Sequence, residues 1–251
     1  MTNETGHARN IQLFQELISA VKGHGGAYKP TNPLIGLGAL EAKLDAANEA
    51  LDDLSTKRSA ESMADTAREN LFAPIGRLST RSINYYSSTG APENRVADAK
   101  GFKRKLEGRR ARAVVEAAAT TTTGAAAAGP DTGPAVLHSV SQQSYMQKVE
   151  HLDGLIDLFE GDPVYAPNEV ELTTSELVNY SAQLKAANTA SIDAGTAIAN
   201  ARVTRDVVLY DLDTGLVTLA VLVKKYVKAL FGAASPQYRQ ISALRFRCLD
   251  K

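Results

Sequence analysis

Residues 39–73, ALEAKLDAANEALDDLSTKRSAESMADTARENLFA, contain neither glycine nor proline. Leu37, Leu40, Leu44, Ala47, Leu51 and Leu54 recur there at alternating steps of three and four, the spacing of one apolar helix stripe. With nothing to break it, the stretch predicts a single helix over 34–72, about 55 Å long at 1.5 Å per residue. The rival reading folds it into a hairpin near Ser55 and Thr56.

Working outward, Pro74 and Gly76 end this helix, and 77–88 forms the next through Leu78, Ile83 and Tyr86. Gly90 and Pro92 break again before a short helix through Val96, Ala99, Phe102 and Leu106. On the N-terminal side, 11–22 is amphipathic through Leu13, Phe14, Leu17, Ile18 and Val21, and Gly23, Gly25 and Gly26 close it.

The same order returns after residue 140. Residues 145–159 carry Val149, Leu152, Leu155, Ile156 and Phe159, Gly161 and Pro163 end the helix, and Tyr165 with Pro167 answers Tyr28 with Pro30. A second long helix is predicted over 171–210, interrupted only by Gly195. Within it Leu184, Ala187 and Asn188 repeat Leu44, Ala47 and Asn48, and Arg205 stands where Arg68 stood. After a break at 211–215, Leu212, Leu216, Leu219, Val223, Tyr226 and Leu230 form another seam, and Gly232 with Pro236 matches Gly90 with Pro92. A last short helix passes through Tyr238, Ile241 and Leu244.

The expected fold is therefore all-α: a tandem duplication of a four-helix unit (short, long, medium, short), giving two helical bundles packed together. The units are 8–112 and 141–248. Between them 117–136, AAATTTTGAAAAGPDTGPAV, cannot bury enough apolar surface to offset its ordering entropy, so it reads as a linker and the first site of proteolysis. Tyr165, Pro167 and Asn168, the run VKKYVK at 223–228 and the run FGAASPQY at 231–238 carry a family likeness. In these motifs the chain resembles a group of uncharacterised bacterial all-helical proteins built of two similar halves. The resemblance implies the two-half architecture and no activity.

Composition narrows the function classes. Lys plus Arg equals Asp plus Glu, 28 each, so no global field draws the chain to nucleic acid or an anionic membrane. The N-terminus lacks the basic and apolar regions of a secretory signal. The single cysteine, Cys248, cannot pair within the chain. The apolar run 215–223 is far short of the ~20 residues of a spanning helix. These features predict a soluble, cytoplasmic protein.

No residue pattern announces chemistry. His7, His24, His138 and His151 are scattered without a second ligand one helical turn away, and Asp52 with Asp53 or Asp211 with Asp213 lacks further donors, so no metal is expected. Cys248 lies where fraying would spoil a preorganised nucleophile. No nucleophile elbow, phosphate loop or dinucleotide fingerprint occurs, and neither catalysis nor a cofactor is expected. Lys103, Arg104, Lys105, Arg109, Arg110 and Arg112 offer anion contacts, although cations near a helix C-terminus are also what the macrodipole favours. Tyr28, Pro30, Tyr165 and Pro167 offer two recognition loops, against a reading in which the tyrosines pack on the bundle. Residues 215–231 would suit a membrane surface, but core packing is the preferred reading.

The reading that fits best is a non-enzymatic helical interaction or scaffold protein, with protein partners that include itself and no dedicated nucleic-acid binding. A small-ligand or anion-binding bundle and a membrane-active helical protein are the alternatives.

Overall fold

A computed structural model describes residues 4–108 and 144–248, and these are all-helical, with no strand among them. The helices are α1 (Glu4–Lys22), α2 (Leu37–Phe72), α3 (Ile75–Ser88), α4 (Glu93–Leu106), α5 (Tyr145–Glu160), α6 (Thr174–Tyr210), α7 (Leu216–Phe231) and α8 (Pro236–Ser242). The predicted linker at 117–136 and Arg109, Arg110 and Arg112 lie outside the described residues.

Both long helices are continuous. Ser55 and Thr56 do not turn the chain: Thr56 Oγ1 donates to the Asp52 carbonyl and Ser59 Oγ to that of Ser55, so the hydroxyls bond back along the helix. Gly195 is helical too, and Thr196 Oγ1 beside it donates to the Ile192 carbonyl at 3.0 Å. Each long helix is preceded by one 3-10 turn, Pro33–Ile35 or Val170–Leu172. A buried tyrosine pins each turn. Tyr28 Oη donates to the Ile35 carbonyl at 2.6 Å, and Tyr165 Oη to the Leu172 carbonyl at 2.7 Å. Each ring meets another tyrosine edge to face, Tyr226 at 5.2 Å and Tyr85 at 5.4 Å.

The chain forms two compact units that do not follow the two sequence segments. One comprises residues 1–65 and 191–251, the other 66–190. In the first unit α1 packs on α7 and α8. Its core joins Phe14, Leu17, Val21, Leu40 and Ala47 to Leu209, Leu216, Val223 and Val227. In the second, α5 packs on α4 and α4 on α3. That core joins Leu152, Leu155, Phe159, Leu177 and Leu184 to Tyr86, Val96 and Leu106. Each Val, Leu or Phe among these contributes about 1.5–3 kcal/mol on full burial. Each long helix supplies residues to both units.

Buried positions recur at fixed spacings. In α1 and α5 they are Phe14 with Leu152, Leu17 with Leu155, Ile18 with Ile156 and Val21 with Phe159. In α2 and α6 they are Leu40 with Leu177, Ala47 with Leu184 and Phe72 with Leu209, at the spacing that also relates the helix starts. In α3 and α7 they are Ile75 with Leu216, Ser79 with Ala220, Ser82 with Val223 and Tyr86 with Val227.

At that spacing the buried Leu184 falls with the buried Ala47, three positions from the Leu44 that the likeness of letters picks out. Two further expectations shift. Helix α1 starts at Glu4, well before residue 11. Leu212 is 78% exposed in the turn ahead of α7, where Asp211 Oδ1 accepts from the backbone N–H groups of Asp213 and Thr214. The inward row of α7 is Leu216, Leu219, Ala220, Val223 and Val227, with Leu230 exposed.

Candidate functional site

A row of exposed side chains on α6 is the most distinctive surface of the described residues. Ile192, Thr196, Ala199, Val203 and Val207 follow one another at steps of four, three, four and four, which places them within an arc of about 80°. Ile192 is 58% exposed, Val203 64% and Val207 57%, while Ile198, Ala201, Arg205 and Leu209 on the opposite side are buried. The charged residues flanking the row are Asp193, Arg202 and Asp206, the last paired with buried Arg205 at 2.7 Å. In the register fixed by the buried positions, the matching row of α2 is Ser55, Ser59, Ser62, Thr66 and Asn70, all exposed. Sequence reasoning missed the α6 row because α6 holds apolar residues on both faces. The four-three-four spacing was the signal available.

Several grooves lie within single units; one of about 420 Å³, lined by Arg104 and Lys105 among others, lies where α4 meets α5. In the first unit a groove of about 660 Å³ runs between the C-terminal half of α1 and α8, lined by Glu16, Ser19, His24, Gln237 and Gln240 among others. His24 packs on Phe231 at 5.0 Å, and its Nε2 is buried without a hydrogen-bond partner. The equivalent of Glu16 on α5 is Gly154, where a Cβ would sit 2.5 Å from Phe102 Cε1, so α4 and α5 close up where α1 and α8 do not. In the second unit a groove of about 440 Å³ lies between α3 and α6, lined by Arg77, Leu78, Arg81, Glu171, Glu176 and Tyr180 with Pro74 and Gln183.

The sequence candidates are dispersed. Lys103 pairs with Glu107 at 3.5 Å, Arg104 is exposed, and Lys105 Nζ lies 5.4 Å over the Phe102 ring, all in the last turn of α4. Tyr28 and Tyr165 are core residues whose hydroxyls each donate to a backbone carbonyl, beside half-buried Pro30 and Pro167. His7 is buried, with Nδ1 2.8 Å from Tyr210 Oη. His151 has its pKa lowered by burial and then by Lys105. His138 lies outside the described residues, and Cys248 is exposed. No cluster of three or more His, Cys, Asp or Glu side chains suited to a metal occurs among the described residues. No helix there is long and apolar enough to cross a membrane.

One buried polar pair marks the second unit. Tyr86 Oη donates to Asp162 Oδ2 at 2.5 Å, and the Val164 N–H donates to Asp162 Oδ1 at 3.1 Å. The tyrosine bond first, and then the backbone bond, hold the Asp162 carboxyl below the usual carboxylate range. Burial first, then the carboxylate, pushes the Tyr86 phenol up to about 12. Among known proteins, no family, curated protein or solved structure matches the chain.

Proposed function

We propose that the chain is a non-enzymatic helical interaction protein that self-associates through the exposed row of α6, and that its halves are tandem copies of one four-helix unit. The duplication draws support from the fixed spacings of buried positions and the two matched tyrosine turns. The interaction reading rests on one observation: α6 exposes Ile192, Val203 and Val207 where α2 exposes Ser55, Thr66 and Asn70.

A second copy of α6 fits this row antiparallel, about a twofold axis near Ala197 and Ile198. Ile192 then lies opposite Val203 of the other copy, and Thr196 opposite its Ala199. These small central residues allow close approach of the two helices. The arrangement keeps like charges apart, since each copy's Asp193 stands roughly 14 Å along the axis from its counterpart, as does each Arg202. Burying the six exposed Ile and Val side chains yields on the order of 1 kcal/mol each. Against the cost of association that sum is modest, so the dimer is reversible and concentration-dependent.

Sedimentation velocity over a concentration series tests the reading. The chain should shift from monomer to dimer, and Val203→Glu should hold it monomeric with its helical circular dichroism unchanged. A chain that stays monomeric throughout, or a dimer indifferent to Val203→Glu and Ile192→Glu, would overturn it.

A further inference from the structure

We infer that the groove between α3 and the N-terminal part of α6 binds a small zwitterion, an α-amino acid or dipeptide with an apolar side chain. The charges that line it settle the ligand class. Arg81 Nη1 lies 2.5 Å from Glu171 Oε2, and that pair neutralises itself. Arg77 and Glu176 remain, and neither forms an ion pair among the described residues; Glu176 accepts only from Asn179 Nδ2 at 3.5 Å, the outer limit of a hydrogen bond. The groove thus offers one free guanidinium and one free carboxylate with no net charge. A simple anion would face Glu176 and a simple cation would face Arg77, whereas a dipolar ligand meets both.

The rest of the lining agrees. Pro74, Leu78 and Tyr180 supply apolar surface between the charges. Tyr180 Oη donates to the Leu71 carbonyl at 2.6 Å, which fixes the ring and commits the hydroxyl proton. Gln183 adds an amide that both donates and accepts. The volume of about 440 Å³ lies in the range of small-molecule sites, about 300–1,000 Å³. A ligand carboxylate would take the planar fork of Arg77 bidentately, the ammonium would meet Glu176, and the side chain would lie on Leu78 and Tyr180.

The fold does not require this set of charges. At the matching positions of the other half, Glu171, Glu176 and Tyr180 are replaced by Leu34, Ala39 and Lys43, and Arg77 and Arg81 by Thr218 and Leu222.

Isothermal titration calorimetry on the full chain tests the inference, using L-leucine, the dipeptide Leu-Leu, N-acetyl-leucine, leucinamide and glycine as probes. Leucine or Leu-Leu should bind saturably, and whichever binds more tightly identifies a free amino acid or a peptide as the occupant. N-acetyl-leucine and leucinamide, each lacking one charge, and glycine, lacking the side chain, should bind at least about tenfold more weakly. Arg77→Gln and Glu176→Gln, both at exposed positions, should each cost about tenfold in affinity while leaving the melting temperature unchanged. Failure of both leucine and Leu-Leu to bind at millimolar concentration would overturn the site. So would N-acetyl-leucine binding as tightly as leucine, or binding indifferent to Arg77→Gln.

Discussion

Helices α2 and α6 are nearly equal in length, and their buried rows fall in the same register, yet their outer faces differ. Twelve of the 36 residues of α2 are charged against six of the 37 in α6, so α2 is built for water over much of its surface. Along the outer row α2 carries serine, threonine and asparagine, whereas α6 carries isoleucine, threonine, alanine and two valines. Helix formation does not ask for this, since β-branched residues lose side-chain freedom in a helix. An outer row that only faces solvent can be polar, as α2 demonstrates. The apolar row of α6 is the surface that the proposed self-association would cover.

Exchanging the two rows gives the largest expected effect. Ile192→Ser, Val203→Thr and Val207→Asn together should abolish self-association while changing unfolding stability by no more than about 0.5 kcal/mol per position. Ser55→Ile, Thr66→Val and Asn70→Val should instead create a second associating surface. Sedimentation and urea unfolding read both outcomes. Unchanged association in the first variant would break the comparison, and new association in the second would sharpen it.

A smaller effect is expected where α5 meets α4. Gly154→Ala forces a methyl group into the Phe102 ring and should cost about 1–3 kcal/mol. Glu16→Ala, at the matching position on α1, faces an open groove and should stay within about 0.5 kcal/mol. Equal losses in urea titrations of the two variants would show that the groove beside α8 closes in solution.

The smallest effect concerns acid. Because the Asp162 carboxyl is held below its ordinary value, its contribution to stability is present above about pH 4, where the unfolded carboxyl titrates, and is lost as pH falls through its lower folded value. Tyr86→Phe removes the principal cause of that shift. The variant should be less stable at neutral pH, and below pH 4 its stability curve should fall less steeply than that of the parent. Val227 takes the place of Tyr86 in the other unit, so Val227→Phe should leave the acid slope as it is. Melting temperatures measured from neutral pH down into the acid range would detect either departure.

The helices were legible because their punctuation is chemical. Pro74, Pro92 and Pro163 lack the N–H that a helix interior needs, Gly90 and Gly161 weaken the helix just ahead of the last two, and 39–73 has nothing that stops one. Membership of the two compact units was not legible, because α1 meets α7 and α8 across most of the chain and no local pattern encodes that pairing. The offset between Leu44 and Ala47 has a similar origin: in alanine-rich helices identical letters recur on several faces, and the letters alone do not say which face is buried. Leu212 was misplaced because its spacing to Leu216 mimics a seam, although the Asp211 side chain had already turned the backbone. The charged groove drew no notice because Arg77 and Glu176 stand far apart in sequence. Only the packing of α3 near α6 brings them to one cavity.

The division of the chain into 66–190 and its two flanking pieces sets an order of events during synthesis. The inner unit is one uninterrupted stretch, so every residue it needs has been made once the ribosome passes position 190. The outer unit begins before the inner one and is completed after it. Ile11, Phe14, Leu17 and Val21 leave the ribosome well before α7 and α8, which cover them. At about 5–20 residues per second, the apolar face of α1 waits for roughly ten seconds or more. Until α7 emerges, that face of α1 stands open to wrong partners.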